Sequence, residues 1–175
     1  MDFQHVLGRV TAHLEAGGRR WAVVGGLAIQ LHGLARATQD VDIVTEIEAQ
    51  PELIAFMESE GYETLYASAG FSNHLHSDPV LGRVDFIYVD RATADRLFAG
   101  CQRVPWLGRE VAVPGPEHLI AMKVHAMKND PSRTFREMAD IQHLLSRPGV
   151  DRAQVKHYFE RAGLLERFDE ILRIL

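Results

Sequence analysis

Asp40 and Asp42 flank Val41 at the head of an apolar stretch, VDIVT, and Asp85 stands inside another, RVDFIYVD. Charged side chains are rarely set in such runs, because an unpaired buried charge is costly. Both stretches have the β-branched, alternating character of strands. Side chains alternate along a strand, so Asp40 and Asp42 project to the same side. The alternation of the second stretch groups Arg83, Asp85, Ile87 and Val89 on one face. If the two strands are neighbours in one sheet, three carboxylates converge. Carboxylates that close repel one another, and a divalent cation relieves that repulsion. Mg²⁺ (or Mn²⁺) suits oxygen ligands and keeps positions open for substrate phosphates. Such a site supports an in-line displacement at phosphorus with two metal ions. The plainer reading of any one of these residues is a turn-former or a solvated strand end.

Gly25-Gly26 follows the apolar run WAVV and opens LAIQLHG. A diglycine between a strand and a helix lets backbone approach a phosphate closely and leaves free N–H groups there. Any tight strand-to-helix turn could use such a pair, so its weight comes from occurring together with the three acids.

The elements that must position these groups can be read in turn. Phe3, Val6, Leu7, Val10 and Leu14 have helical spacing, and Gly17-Gly18 stops a helix over 3–16. A buried strand is expected over 21–26, a helix over 27–33, a strand over 41–45 and a helix over 51–61 with Pro51 in its first turn. A hairpin over 62–67 and 73–77 precedes the strand at 83–90. A helix over 92–101 and two short strands turning at Leu107-Gly108 complete an α/β lobe, residues 1–114. After Pro114-Gly115-Pro116 only helical patterns remain, over 117–129, 133–146, 151–161 and 163–174, so 115–175 reads as a helical segment.

Composition narrows the class. The 175 residues are 46% hydrophobic and 25% charged, ordinary for a globular chain, and Cys101 alone cannot form an internal disulfide or a thiolate zinc cluster. A net charge of −5 supplies no global basic field for nucleic acid. No stretch approaches the ~18 apolar residues of a membrane span, and a cytoplasmic chain with no membrane partner is expected. His74 and His76 alternate on the expected hairpin without a third zinc ligand, and read as polar edge-strand residues. P-loop and Rossmann fingerprints are missing, and no Ser or Cys stands in a nucleophile elbow.

The segment VVGGLAIQLHGLARATQDVDIV resembles the signature of the nucleotidyltransferase superfamily, the polymerase β-like fold. Arg36-x-Thr38-x-Asp40-x-Asp42 is similar to a small bacterial branch related to AbiEii-type toxins. The segment HLIAMKVHAMKNDPSRTFREMADIQHLL resembles that branch as well, through Lys123, Arg133 and Asp140. The resemblance implies an α+β fold, a mixed sheet flanked by helices with a C-terminal helical segment. It implies that Gly25 and Gly26 cradle a triphosphate, that Asp40 and Asp42 hold the metal, and that Asp85 holds the catalytic ion or acts as base toward the incoming hydroxyl. Arg36, Thr38, Lys123, Arg133 and Asp140 would complete a nucleotide site. Lys123 lies at the border of the apolar face of its helix, where it could reach a phosphate or stay solvated. Arg136 and Asp140, four residues apart, could form a plain surface pair. The implied reaction moves a nucleotidyl group from an NTP to a hydroxyl and releases pyrophosphate. The acceptor is left open among an RNA such as a tRNA end, a protein, and an aminoglycoside- or lincosamide-like antibiotic, the negative net charge favouring a cationic small molecule. A homodimer or an antitoxin partner is compatible with the reading. The competing class is a catalytically idle protein of this fold that binds a nucleotide or a partner.

Overall fold

The computed structural model describes residues 1–175. The chain divides into two compact units, Met1–Leu31 with Ala35–Pro114, and His32–Leu34 with Gly115–Leu175.

The first unit begins with α1 (Phe3–Ala16), whose first turn is capped by Asp2 accepting from the His5 N–H. Its stripe of Val6, Leu7, Val10 and Leu14 is buried, as the periodicity requires. Next come β1 (Trp21–Val23), α2 (Gly25–Leu31), β2 (Asp40–Glu46), α3 (Gln50–Ser59), β3 (Tyr62–Ser68), β4 (Phe71–His76), β5 (Arg83–Val89) and α4 (Arg91–Ala99). Five strands form one sheet in the order β1-β2-β5-β4-β3. Only β2 and β5 run parallel; the other neighbours are antiparallel. A parallel pair needs a long crossover, and here α3 and the β3–β4 hairpin supply it. β2 and β5 have strands on both sides, and Val41, Ile43, Val44, Val84 and Phe86 are fully buried.

β6 (Gln102–Trp106) and β7 (Arg109–Val113) pair antiparallel as a separate two-stranded sheet. Leu107 and Gly108 both take positive φ, 46° and 77°, the backbone that a two-residue hairpin turn of this hand demands.

The hairpin histidines depart from expectation. β4 is not an edge strand, since β3 covers its outer side. His74 is fully buried, its ring edge-on to Phe86, with Nδ1 3.1 Å from the Thr64 hydroxyl and Nε2 2.9 Å from that of Ser72. It is a satisfied core histidine. His76 packs edge-on against Tyr62.

The second unit contains α5 (Pro116–Asn129), α6 (Thr134–Leu145), α7 (Arg152–Ala162) and α8 (Leu165–Leu172). Asp151 caps α7 by accepting from the N–H groups of Ala153 and Gln154, and Gly163 ends it in a left-handed conformation. Residues 32–34 belong to this unit: the His32 carbonyl accepts from His143 Nε2 at 3.0 Å and from the Arg147 guanidinium.

Candidate active site

Parallel pairing of β2 with β5 sets Asp42 directly opposite Asp85, and Asp40 opposite Arg83. Residues paired across adjacent strands project to the same face, so the register gathers the acids. One carboxylate oxygen from each of Asp40, Asp42 and Asp85 lies within 4.8 Å of the other two. Asp85 is buried, and Asp40 and Asp42 are partly exposed.

The diglycine closes on this cluster. β1 ends at Val23, and the Val24 N–H donates to the Asp42 carbonyl at 2.9 Å, holding the turn against β2. Gly25 has φ +58°, and a Cβ there would stand 1.9 Å from Asp42 Oδ2 and 2.4 Å from its Cγ. No other residue fits without moving that carboxylate. A Cβ on Gly26 would come within 2.5 Å of Thr38 Oγ1. The Thr38 hydroxyl in turn donates to Asp40 Oδ1 at 2.8 Å, fixing the rotation of that carboxyl group. Arg36 is anchored through its backbone, its carbonyl accepting from the Gln30 side chain.

Two residues of this face were not singled out as site groups by sequence reasoning. Arg83 grips Asp85 with both prongs of its guanidinium, Nε to Oδ1 at 2.8 Å and Nη2 to Oδ2 at 3.1 Å. Asn73 is the neighbour of Asp85 on the outer side, and Tyr66 follows it in the same row. The Asn73 Oδ1 is buried without a hydrogen-bond partner, a costly arrangement for an amide. The shared face of Arg83 and Asp85 is visible in the alternation, but the Asn73 position depends on hairpin register, which the sequence does not display.

Lys123, Arg133 and Asp140 lie in the second unit and are joined there by Glu137, which sequence reasoning missed. Lys123 Nζ donates to Glu137 Oε2 at 2.8 Å and Asp140 Oδ2 at 2.6 Å. Arg133 holds the other Glu137 oxygen from Nη2 at 2.7 Å. Burial pushes the Glu137 carboxyl up, but Lys123 and Arg133 outweigh it and leave it below its ordinary value. The surface pair expected between Arg136 and Asp140 does not form as such. Asp140 is buried against Lys123, and Arg136 reaches Glu137 at 3.4 Å. The reason is that Asp140 shares the inward stripe of α6 with Ile141 and Leu144.

Three convergent carboxylates are a hard-oxygen donor set of the kind Mg²⁺ takes, and the bare Gly25 leaves the space that a Cβ would fill. The residues present therefore fit a divalent cation.

A mixed five-stranded sheet flanked by helices, with the acids of two parallel strands meeting under a diglycine turn, defines the nucleotidyltransferase fold. In fold the chain is similar to nucleotidyltransferases. More particularly, the family model of aminoglycoside-2''-adenylyltransferase matches residues 6–89. The solution structure of the antibiotic-resistance factor ANT(2'')-Ia superposes with a TM-score of 0.69 at 17% identity, over 99% of this chain and 97% of the other. A crystal structure of ANT(2'')-Ia in complex with adenylyl-2''-tobramycin gives 0.65 at 17% identity, over 94% and 97%. The lincosamide antibiotic adenylyltransferase LnuA, bound to lincomycin, gives 0.59 at 16% identity, over 81% and 96%. No curated protein matches the sequence. No helix is long and apolar enough to cross a membrane.

Proposed function

We propose that this protein transfers a nucleotidyl group from an NTP, in the presence of Mg²⁺, to a hydroxyl of a small antibiotic-like acceptor. The observation that carries the reading is the meeting of Asp40, Asp42 and Asp85 under Gly25, where any larger residue would displace Asp42. Support for a small acceptor comes from the match to an aminoglycoside adenylyltransferase model and from the tobramycin- and lincomycin-containing neighbours. A net charge of −5 also suits a cationic amino sugar better than a polyanion.

In this reading Asp40, Asp42 and Asp85 hold the cation, with Thr38 fixing the Asp40 carboxyl. The cation, when bound, would draw charge from the phosphates and lower the barrier to displacement. In the same reading the Gly25-Gly26 turn and Arg36 would meet the phosphate oxygens. Asp85 takes the proton of the acceptor hydroxyl as that oxygen bonds to the α-phosphorus. The bond from the α-phosphorus to the bridging oxygen breaks, and pyrophosphate leaves with the electron pair. Asn73, next in the row, offers an unsatisfied acceptor on the side away from Asp42. Lys123 and Asp140 are committed to binding α5 to α6 within the second unit.

The test is transfer of label from [α-³²P]ATP, with Mg²⁺, to tobramycin, lincomycin and tRNA, with pyrophosphate measured in parallel. Labelled antibiotic with equimolar pyrophosphate, abolished in Asp42→Asn, is the expected result. Label on tRNA alone would favour the AbiEii-like branch that Arg36, Thr38, Asp40 and Asp42 resemble. No product with any acceptor, alongside intact ATP binding, would leave a binding protein of this fold.

A further inference from the structure

Arg83 stands two residues before Asp85 on β5 and directly opposite Asp40 on β2. Its planar fork matches a carboxylate in the two-pronged manner that only arginine offers, and here both Asp85 oxygens are taken. The hydrogen bond to Asp85 is the largest influence raising the Arg83 pKa, with smaller contributions from the charges of Asp85, Asp40 and Asp42. The guanidinium therefore feels all three acids. The Arg83 guanidinium offsets one of the three carboxylate charges that would otherwise repel one another. The two ends of the pair also differ in freedom: the Asp85 side chain is 10% exposed and that of Arg83 is 42% exposed. The carboxylate is fixed in the sheet, and the arginine has open solvent to swing into.

We propose that Arg83 is a resident counter-ion that must release Asp85 before a divalent cation can use it, so that loading the site and freeing the guanidinium are one event. The inference rests on the nucleotidyl-transfer reading of the same carboxylates. Without the cation, Arg83 relieves the repulsion among the acids and denies Asp85 to a hydroxyl. The third carboxylate then becomes available only when the site is loaded, which favours entry of nucleotide with its cation before the acceptor. A pair that merely braced the strand would keep both of its hydrogen bonds when the cation site is filled.

The experiment is Mn²⁺ titration of the intact protein without nucleotide, followed by the electron paramagnetic resonance of free Mn²⁺. Removing a unit positive charge a few ångströms from the cation, at an effective dielectric of about 20, should tighten binding by about tenfold or more in Arg83→Met and Arg83→Gln. Placing Asp85→Asn in the same chain should remove that gain, because the effect runs through this carboxylate. The unsubstituted protein gives an independent reading should the variants fold poorly. The Arg83 Nε–H resonance, held by Asp85, should move to a solvent-exposed position as Mg²⁺ saturates the site. Equal or weaker Mn²⁺ binding in the Arg83 variants, or an unmoved resonance at saturation, overturns the counter-ion role and leaves the transfer reading standing. If no form binds Mn²⁺, with or without ATP, both readings fall together.

Discussion

Replacing Gly25 by alanine separates two costs that the structure sets side by side. The first is conformational. Gly25 sits at φ +58°, and a side chain in that left-handed region costs about 1–2 kcal/mol. For a chain of this size each kcal/mol corresponds to about 2–4 °C of melting temperature. The second cost is local, because the new methyl would overlap Asp42 Oδ2 at 1.9 Å and meet its Cβ at 2.9 Å. Asp42 lies in the middle of a seven-pair register between β2 and β5, so its backbone cannot give way. Its carboxylate must rotate out of the cluster. Misplacing a catalytic group by about an ångström can cost roughly 10²-fold in rate, and Mn²⁺ affinity should fall with it. Gly18→Ala is the control, since Gly18 has φ +66° with nothing within 4 Å of the added Cβ. Both variants should lose similar stability by calorimetry, and only Gly25→Ala should lose transfer and Mn²⁺ binding. Wild-type transfer in Gly25→Ala would refute the idea that the diglycine shapes the acidic cluster.

Two further outcomes follow from buried polar groups. Lys123→Met strands Glu137 and Asp140, both about 2% exposed, with fewer cations. Breaking a buried ion pair costs about 3–5 kcal/mol, and urea denaturation should register a loss of that order; a loss under 1 kcal/mol would mean the network is worth no more than a surface pair. Burial holds the His74 pKa below its ordinary value of 6.5, so the unfolded chain takes up a proton there that the native one refuses. The stability due to neutral His74 is complete above 6.5 and drains as pH falls below it, at up to about 1.4 kcal/mol per pH unit. Denaturation midpoints from pH 7 to 5 should decline less steeply in His74→Gln; identical slopes would show that another group carries the dependence.

Local patterns were legible where they repeat within a few residues. The stripe of Val6, Leu7, Val10 and Leu14 with its Gly17 stop specifies α1, and the positive-φ turn at Leu107-Gly108 falls where two short strands need one. The three aspartates could be named in advance because carboxylates in β-branched runs conflict with burial. Register across the sheet was not legible. That Asn73 joins the acidic row depends on how a hairpin docks on β5, a long-range choice. The same choice places His74 in the core rather than at an edge. The wheel of α5 sets Lys123 at a boundary, and only the approach of Glu137 and Asp140 from another helix turns that boundary into a buried ion cluster.

The brief excursion of residues 32–34 into the helical unit means that the polypeptide passes between the two units three times, after Leu31, after Leu34 and after Pro114. Neither unit is a contiguous stretch of gene. Recombination at a single point after Pro114 would exchange the four helices but leave residues 32–34 of their unit behind. A protease nick at Pro114 would sever residues 115–175 from the piece that carries residues 32–34, so the helical unit would be divided between two polypeptides.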